Sequence, residues 1–217
     1  MDIRTINRSI VTCKKCPRLI HYIDEVAQVK VKRYRQEDYW GKPVPGFGDK
    51  NARMLIVGLA PAAHGANRTG RMFTGDSSGD WLYKALYETG FANQPESNYS
   101  EDGLQLIDAY IVALAHCAPP QNKPSREEIL NCREHLLHHL QAMKNAKIYL
   151  ALGQMAFTNL CQIFNLKGLK FAHNREFQIS EDIKIISSYH PSRQNTQTGK
   201  LKWTDWIAVF QKIRNSL

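Results

Sequence analysis

The sequence predicts an α/β protein built as three layers, αβα, around a central four-stranded parallel sheet. Two observations carry that expectation. Four short runs of branched and aromatic residues recur along the chain, each ending in a loop of small or polar residues. Helical patterns fill the intervals between them, and strand–helix alternation of this kind builds parallel sheets covered on both faces. With 217 residues there is room for one such unit with a real core and little room for two, so residues 1–217 are expected to form a single domain.

The four strand-like runs are Met54–Leu59 (MLIVGL), Ala109–Ala115 (AYIVALA), Lys147–Leu152 (KIYLAL) and Ile183–Tyr189 (IKIISSY). Ahead of the first lies Lys30–Asn51, polar and rich in Gly and Pro, which reads as a long surface excursion. The first helical pattern spans Gly79–Thr89. The second, Arg126–Met143, has a marked start: Ser125 with Glu128 three residues on, the capping-box arrangement. Its Ile129, Cys132, Leu136, Leu140 and Met143 recur at three- and four-residue steps and so share one face. Helical patterns Gln154–Phe164 and Asp205–Asn215 follow the third and fourth strands. Cys161 lies in a mainly apolar helical stretch and belongs in the core.

Charge and cysteine content narrow the function. The chain carries 29 Lys+Arg against 20 Asp+Glu, a formal charge of +9, which favours polyanionic partners through counterion release. No run is long and apolar enough to span a membrane, and the N-terminus lacks the apolar core of a signal peptide. A cytoplasmic, nucleoid-associated monomer is the expectation, in a compartment where disulfides do not persist. Five cysteines there invite a metal or cluster explanation for some of them.

In an open parallel sheet ligands bind beyond the carboxyl ends of the strands, and the segments leaving these four ends are chemically rich. They are Gly58–Asp76 (GLAPAAHGANRTGRMFTGD), His116–Arg126 (HCAPPQNKPSR), Gly153–Gln154, and His190–Asn195 (HPSRQN). No phosphate-binding loop of the G-x-x-x-x-G-K-[ST] kind and no G-x-G-x-x-G after a strand occurs, so kinase, NTPase and dinucleotide chemistry are set aside. GLAPAAHGANRTG followed by MFTGD, then CAPPQNKP, then HPS resembles the motif series of the type B, or family 5, uracil-DNA glycosylases. The resemblance runs from Cys13 to about Trp206. It implies base excision from DNA containing uracil or other deaminated bases.

Cys13-Lys-Lys-Cys16-Pro17, Cys117 and Cys132 bring four thiols from three chain segments, enough for a [4Fe–4S] cluster or a tetrahedral zinc. Spacing leaves both open; the resemblance implies the iron–sulfur cluster, in a structural role.

Cleaving an N-glycosidic bond leaves positive charge on the sugar and negative charge on the departing base, and a catalyst stabilises both once the base has been swung out of the stack. The commoner uracil glycosylases carry an Asp or Asn in the loop after the first strand. Here Ala60-Pro61-Ala62-Ala63-His64 has neither, as in type B enzymes. The resemblance assigns that work to Asp76, which orients water or stabilises the sugar cation. The same Asp, before Ser77-Ser78-Gly79-Asp80 and a helix, is an ordinary helix cap, and the two roles are compatible only if one carboxylate oxygen stays free. Phe73 would stack on the base, Asn122 would contact its edge, and His190 would donate an N–H to uracil O2. Ala60, Ala62 and His64 would line the base pocket. The small side chains of Ala62 and Ala63 leave space for hypoxanthine and xanthine. Ser192, Arg193, Gln194 and Asn195 would hold the DNA. Arg68 and Arg71 are expected to add to the basic surface, and His135, His138 and His139 to be surface or cluster-packing residues. Two alternatives stand beside this reading. One is a non-catalytic damage-binding protein on the same fold. The other is a related iron–sulfur glycosylase with narrow uracil specificity, whose first loop would carry an acidic residue where this chain has Leu59.

Overall fold

The computed structural model describes residues 1–217. The central sheet has six strands: β1 (Phe47–Gly48), β2 (Met54–Gly58), β3 (Ala109–Ala113), β4 (Ile148–Leu152), β5 (Arg175–Gln178) and β6 (Lys184–Ser188). Their spatial order is β1-β3-β2-β4-β6-β5. The inner four, β3-β2-β4-β6, are parallel, with Met54 opposite both Ala109 and Ile148, and Ile148 opposite Lys184. They are the four strands expected from the sequence. The two-residue β1 and the four-residue β5 pair antiparallel on the outer edges and extend the four-stranded sheet to six. Neither has the run of branched residues that made the inner strands visible.

Eight helices surround the sheet: α1 (Ile3–Val11), α2 (Pro17–Val29), α3 (Ala66–Thr69), α4 (Ser77–Glu88), α5 (Arg126–Ala142), α6 (Gln154–Ile163), α7 (Arg193–Gln197) and α8 (Trp203–Ser216). Side chains alternate across a strand, so each inner strand serves two cores. Met54, Ile56, Ile111, Leu150 and Ile186 meet Leu82 and Leu86 of α4 and Trp206, Val209 and Phe210 of α8. Leu55, Val57, Val112, Tyr149 and Ile185 meet Ile129 and Leu136 of α5 and Phe157, Leu160 and Cys161 of α6. The third layer is thereby present on both faces, and Cys161 is a core residue. The capping box of α5 forms as expected, Ser125 Oγ accepting from the Glu128 N–H while Glu128 accepts from the Ser125 N–H at 2.7 Å.

The segment Lys30–Asn51 is more than a surface excursion. It holds a 3-10 turn (Lys32–Tyr34) and β1, buries Val44 completely, and exchanges backbone hydrogen bonds with the first strand's loop through Trp40 N–H to Arg68 O and Gly41 N–H to Asn67 O. The chain runs from β2 outward to β3 and then returns to β4 on the other side of β2. The reversal opens a crevice between the carboxyl ends of β2 and β4, where ligands of open α/β sheets bind.

Candidate active site

The loop leaving β2 and the FTGD segment close over that crevice. Gly58 ends β2 where the Phe73 ring packs on it: a Cβ there would lie 3.1 Å from the ring. Phe73 itself has φ +55, a left-handed conformation that costs a bulky residue energy and that surrounding structure must enforce. The enforcement is visible. Tyr83 Oη donates to Met72 O at 2.5 Å, and the Phe73 carbonyl occupies the space where any side chain at position 79 would stand, which Gly79 leaves open.

Asp76 is the N-cap of α4, and its two oxygens are divided. Oδ1 accepts from Ser78 N–H at 2.9 Å and Gly79 N–H at 3.1 Å. Oδ2 makes no hydrogen bond and rests against the Gly65 backbone, where a side chain would collide with it. Burial pushes the Asp76 carboxyl above the usual aspartate value, against the pull of the two capping N–H groups and of Arg193 and Arg68. Asp80, one turn on, is also raised, by burial and by Asp76 itself.

His190 leaves β6 and lies alongside Phe73, ring centroids 5.6 Å apart and 27° from parallel. Burial lowers its pKa to about 4, so the imidazole is neutral at pH 7. Gly153, at the end of β4 with φ +94, brings its backbone to the same place: a Cβ there would touch His190 Cβ at 3.7 Å. After His190, Ser192 caps α7 and Asn195 Nδ2 donates to His190 O at 2.8 Å. Asn195 thus braces the histidine, and Ser192 holds Asn195 by accepting from its backbone N–H. Arg193 and Gln194 are exposed, and Arg193 Nε donates to Ser77 Oγ at 3.1 Å, spanning from the fourth strand end to the start of α4.

Ala60, Ala62 and His64 sit partly exposed along the first loop. Tyr39 Oη lies 3.1 Å from His64 Nδ1, with the two rings edge-on at 6.1 Å. Burial, then the Arg68 charge, lowers the His64 pKa. Asn122 ends a 3-10 turn (Pro120–Asn122), exposed, with φ +56 directly after Gln121 at φ +55. Its side chain bonds to none of the other site residues, and two consecutive left-handed residues mark a strained loop.

Arg68 and Arg71 are not surface charges. Both are buried, and each is bound to backbone as well as to a carboxylate. Arg68 pairs with Glu37, donates to His64 O at 2.9 Å and to Gly75 O at 3.3 Å, and so ties the first loop to FTGD. Arg71 donates bidentately to Asp102 at 2.8 and 2.7 Å, and also to Thr74 Oγ1, Ser97 Oγ and Ser100 O. A charge count cannot distinguish an arginine in solvent from one whose partner lies 31 residues away. Tyr39 likewise escaped sequence reading, because its segment looked polar and loop-like.

The cysteine groups converge on the flank beside α2. Cys16, Cys117 and Cys132 are buried and Cys13 is half-buried. Burial, then the neighbouring cysteines' charges, pushes the Cys117 thiol up; burial raises Cys132 to about 11 although the His116 backbone N–H favours its thiolate. No three His, Cys, Asp or Glu side chains stand close enough to grip a single metal ion. Leu19 and Ile23 of α2 pack with Cys16 and Cys117, and Ala63 of the first loop packs on that cluster. His135 and His139 are buried, not on the surface. His116 meets His135 edge-on at 5.9 Å and His139 in a stack at 6.2 Å, and His116 Nε2 and both His135 nitrogens lack partners.

Residues 45–214 match the model of the uracil DNA glycosylase superfamily. A type-5 uracil-DNA glycosylase of Thermus thermophilus is 43% identical over 99% of this chain and 98% of its own length. One of Pyrobaculum aerophilum is 43% identical over 90% of this chain and 84% of its own. A type-4 uracil-DNA glycosylase of Pyrobaculum aerophilum is 26% identical over 88% of this chain and 84% of its own.

Proposed function

Because the chain belongs to the uracil DNA glycosylase superfamily, we propose that it is a monofunctional glycosylase that hydrolyses the N-glycosidic bond of uracil, hypoxanthine and xanthine in DNA. The observation that carries this reading is the divided carboxylate of Asp76: Oδ1 caps α4 while Oδ2 is left without a hydrogen bond. The cap therefore leaves one oxygen available for chemistry, the condition under which the two roles are compatible.

The extruded base stacks on Phe73. Asp76 Oδ2 orients a water molecule and offsets the positive charge that grows on the sugar. The water oxygen bonds to the anomeric carbon as the bond to the base nitrogen breaks, and the water proton passes to Asp76 and on to solvent. The electron pair leaves with the base, where an N–H of neutral His190 steadies the anion. A neutral donor does this without surrendering a proton; a pKa of about 4 keeps the imidazole in that form. Asn122 meets the base edge, its amide able both to donate and to accept, and the strained turn beneath it is of the kind found at ligand clamps. Arg193 and Gln194 contact the DNA backbone.

Cys13, Cys16, Cys117 and Cys132 would hold a [4Fe–4S] cluster. Four thiols from three chain segments suit a cluster or a tetrahedral zinc, and the family resemblance is what favours the cluster. Held there, it would cross-link the N-terminal helices to α5. Leu19 and Ile23 of α2, with Ala63 of the first loop, pack on this flank, so the cross-link bears on the pocket.

Labelled duplexes carrying one uracil, hypoxanthine or xanthine, treated with alkali after incubation, test the proposal. Breaks that appear only after alkali support it. A brown, folded protein that binds these duplexes and yields no breaks refutes the enzymatic reading in favour of damage binding.

A further inference from the structure

A pocket that takes uracil and hypoxanthine but leaves cytosine and adenine needs a criterion independent of ring size. Deamination supplies one. It turns an exocyclic amine, which donates hydrogen bonds, into a carbonyl, which accepts them. A protein group locked as a donor reads that change in a pyrimidine and a purine alike. An imidazole is ordinarily a poor lock, because either ring nitrogen can carry the proton.

His64 is held in one form. Tyr39 Oη stands 3.1 Å from His64 Nδ1, and of the two groups the phenol O–H is the more acidic and so the better donor, the imidazole nitrogen the better acceptor. With Nδ1 accepting, the imidazole proton is on Nε2. That nitrogen makes no hydrogen bond within the protein and is not among the polar atoms sealed from solvent. The loop carrying it is fixed on both sides: Arg68 Nε holds the His64 carbonyl at 2.9 Å, and the next residue, Gly65, touches the free oxygen of Asp76. Burial and the adjacent Arg68 charge favour the neutral ring, the form that offers a single donor.

We propose that His64 is a specificity-determining residue whose Nε2–H, fixed by Tyr39, donates to the carbonyl that deamination creates on the extruded base and rejects the amine it replaces. The proposal rests on the glycosylase reading above and assigns Tyr39, from the Lys30–Asn51 segment, the role of positioning residue.

The test separates the two readings by measuring binding without cleavage. Duplexes carrying 2′-fluoro-deoxyuridine or 2′-fluoro-deoxycytidine, whose glycosidic bonds resist hydrolysis, are titrated with the wild-type protein, Y39F and H64Q. The wild type prefers the uridine. Y39F frees the histidine to change tautomer, and H64Q presents an amide that turns either end; each shrinks the preference about tenfold at unchanged melting temperature. Nitrogen NMR of histidine-labelled protein shows His64 as the Nε2–H form in the wild type and as a mixture in Y39F. An Nδ1–H form in the wild type, or a uridine preference intact in both variants, overturns the proposal while leaving excision untouched. Absence of any preference together with absence of uracil cleavage by the wild type overturns both.

Discussion

Two aspartates in loops joined by hydrogen bonds show how the fold divides structural from chemical duty. Asp102 and Asp76 each stand in a loop and each accept from backbone N–H groups. Asp102 spends both oxygens: Arg71 takes them bidentately, and the N–H groups of Asn98, Tyr99 and Leu104 take the remaining lone pairs. Burial opposes its charge, yet these partners outweigh burial and bring its pKa down to about 2. Asp76 spends one oxygen, and burial leaves its pKa raised. The first carboxylate is inert because it is satisfied; the second is available because it is not. They belong to one device, since Arg71 also reaches Thr74, and Gly75 N–H donates to Ser97 O at 3.1 Å. The satisfied pair anchors the loop that presents the unsatisfied one.

The comparison can be broken from the satisfied side. Arg71→Met leaves the Asp102 charge buried without its partner and is expected to cost about 3–5 kcal/mol of stability, read as a lowered denaturation midpoint. From the other side, Asp76→Asn keeps an oxygen for the cap and is expected to lower single-turnover excision about 10²–10³-fold, with DNA binding and melting temperature nearly unchanged. A loss of stability in place of activity would reverse the roles assigned to the two residues. Gly65→Ala presses a methyl group against Oδ2 and should slow excision about 10–100-fold while the fold stands, measured by the same single-turnover assay. The smallest effect is in pH. The raised carboxyl of Asp76 places the acid limb of the rate profile above the ordinary aspartate value of 3.8; a limb at or below that value would contradict it. Stability follows a separate course: His190, at about 4 in the folded protein against 6.5 for the free side chain, binds its proton more readily when unfolded. Its contribution is therefore complete above pH 6.5 and declines as pH falls toward about 4.

The inner sheet and the helices that follow each strand were legible because long branched runs and three-to-four spacing report burial directly. Asp76 was legible as a candidate, and so was the condition on it, because Asp before Ser-Ser-Gly announces a cap. What the sequence did not display were relations between distant residues. The burial of Arg68 and Arg71 depends on Glu37 and Asp102, and nothing local distinguishes either arginine from a solvated one. The bond from Tyr39 to His64 is hidden the same way. Helix α1 does carry a local signal, since Ile3, Ile6 and Ile10 keep helical spacing. The left-handed backbone of Phe73 leaves no trace in residue type, because Phe is not a residue chosen for that conformation.

The order of the strands has a consequence for how the protein comes into being. Neighbours in the sheet are remote in the chain: β2 waits for β3, then for β4, and β4 waits for β6, whose end supplies His190. Parallel pairings of this kind close long loops before they return any contact energy, so they form slowly. On the reading proposed above, a ribosome that has released only the first three inner strands has released Asp76 and His64 but not His190. The crevice at the strand ends is therefore completed only when the last inner strand docks.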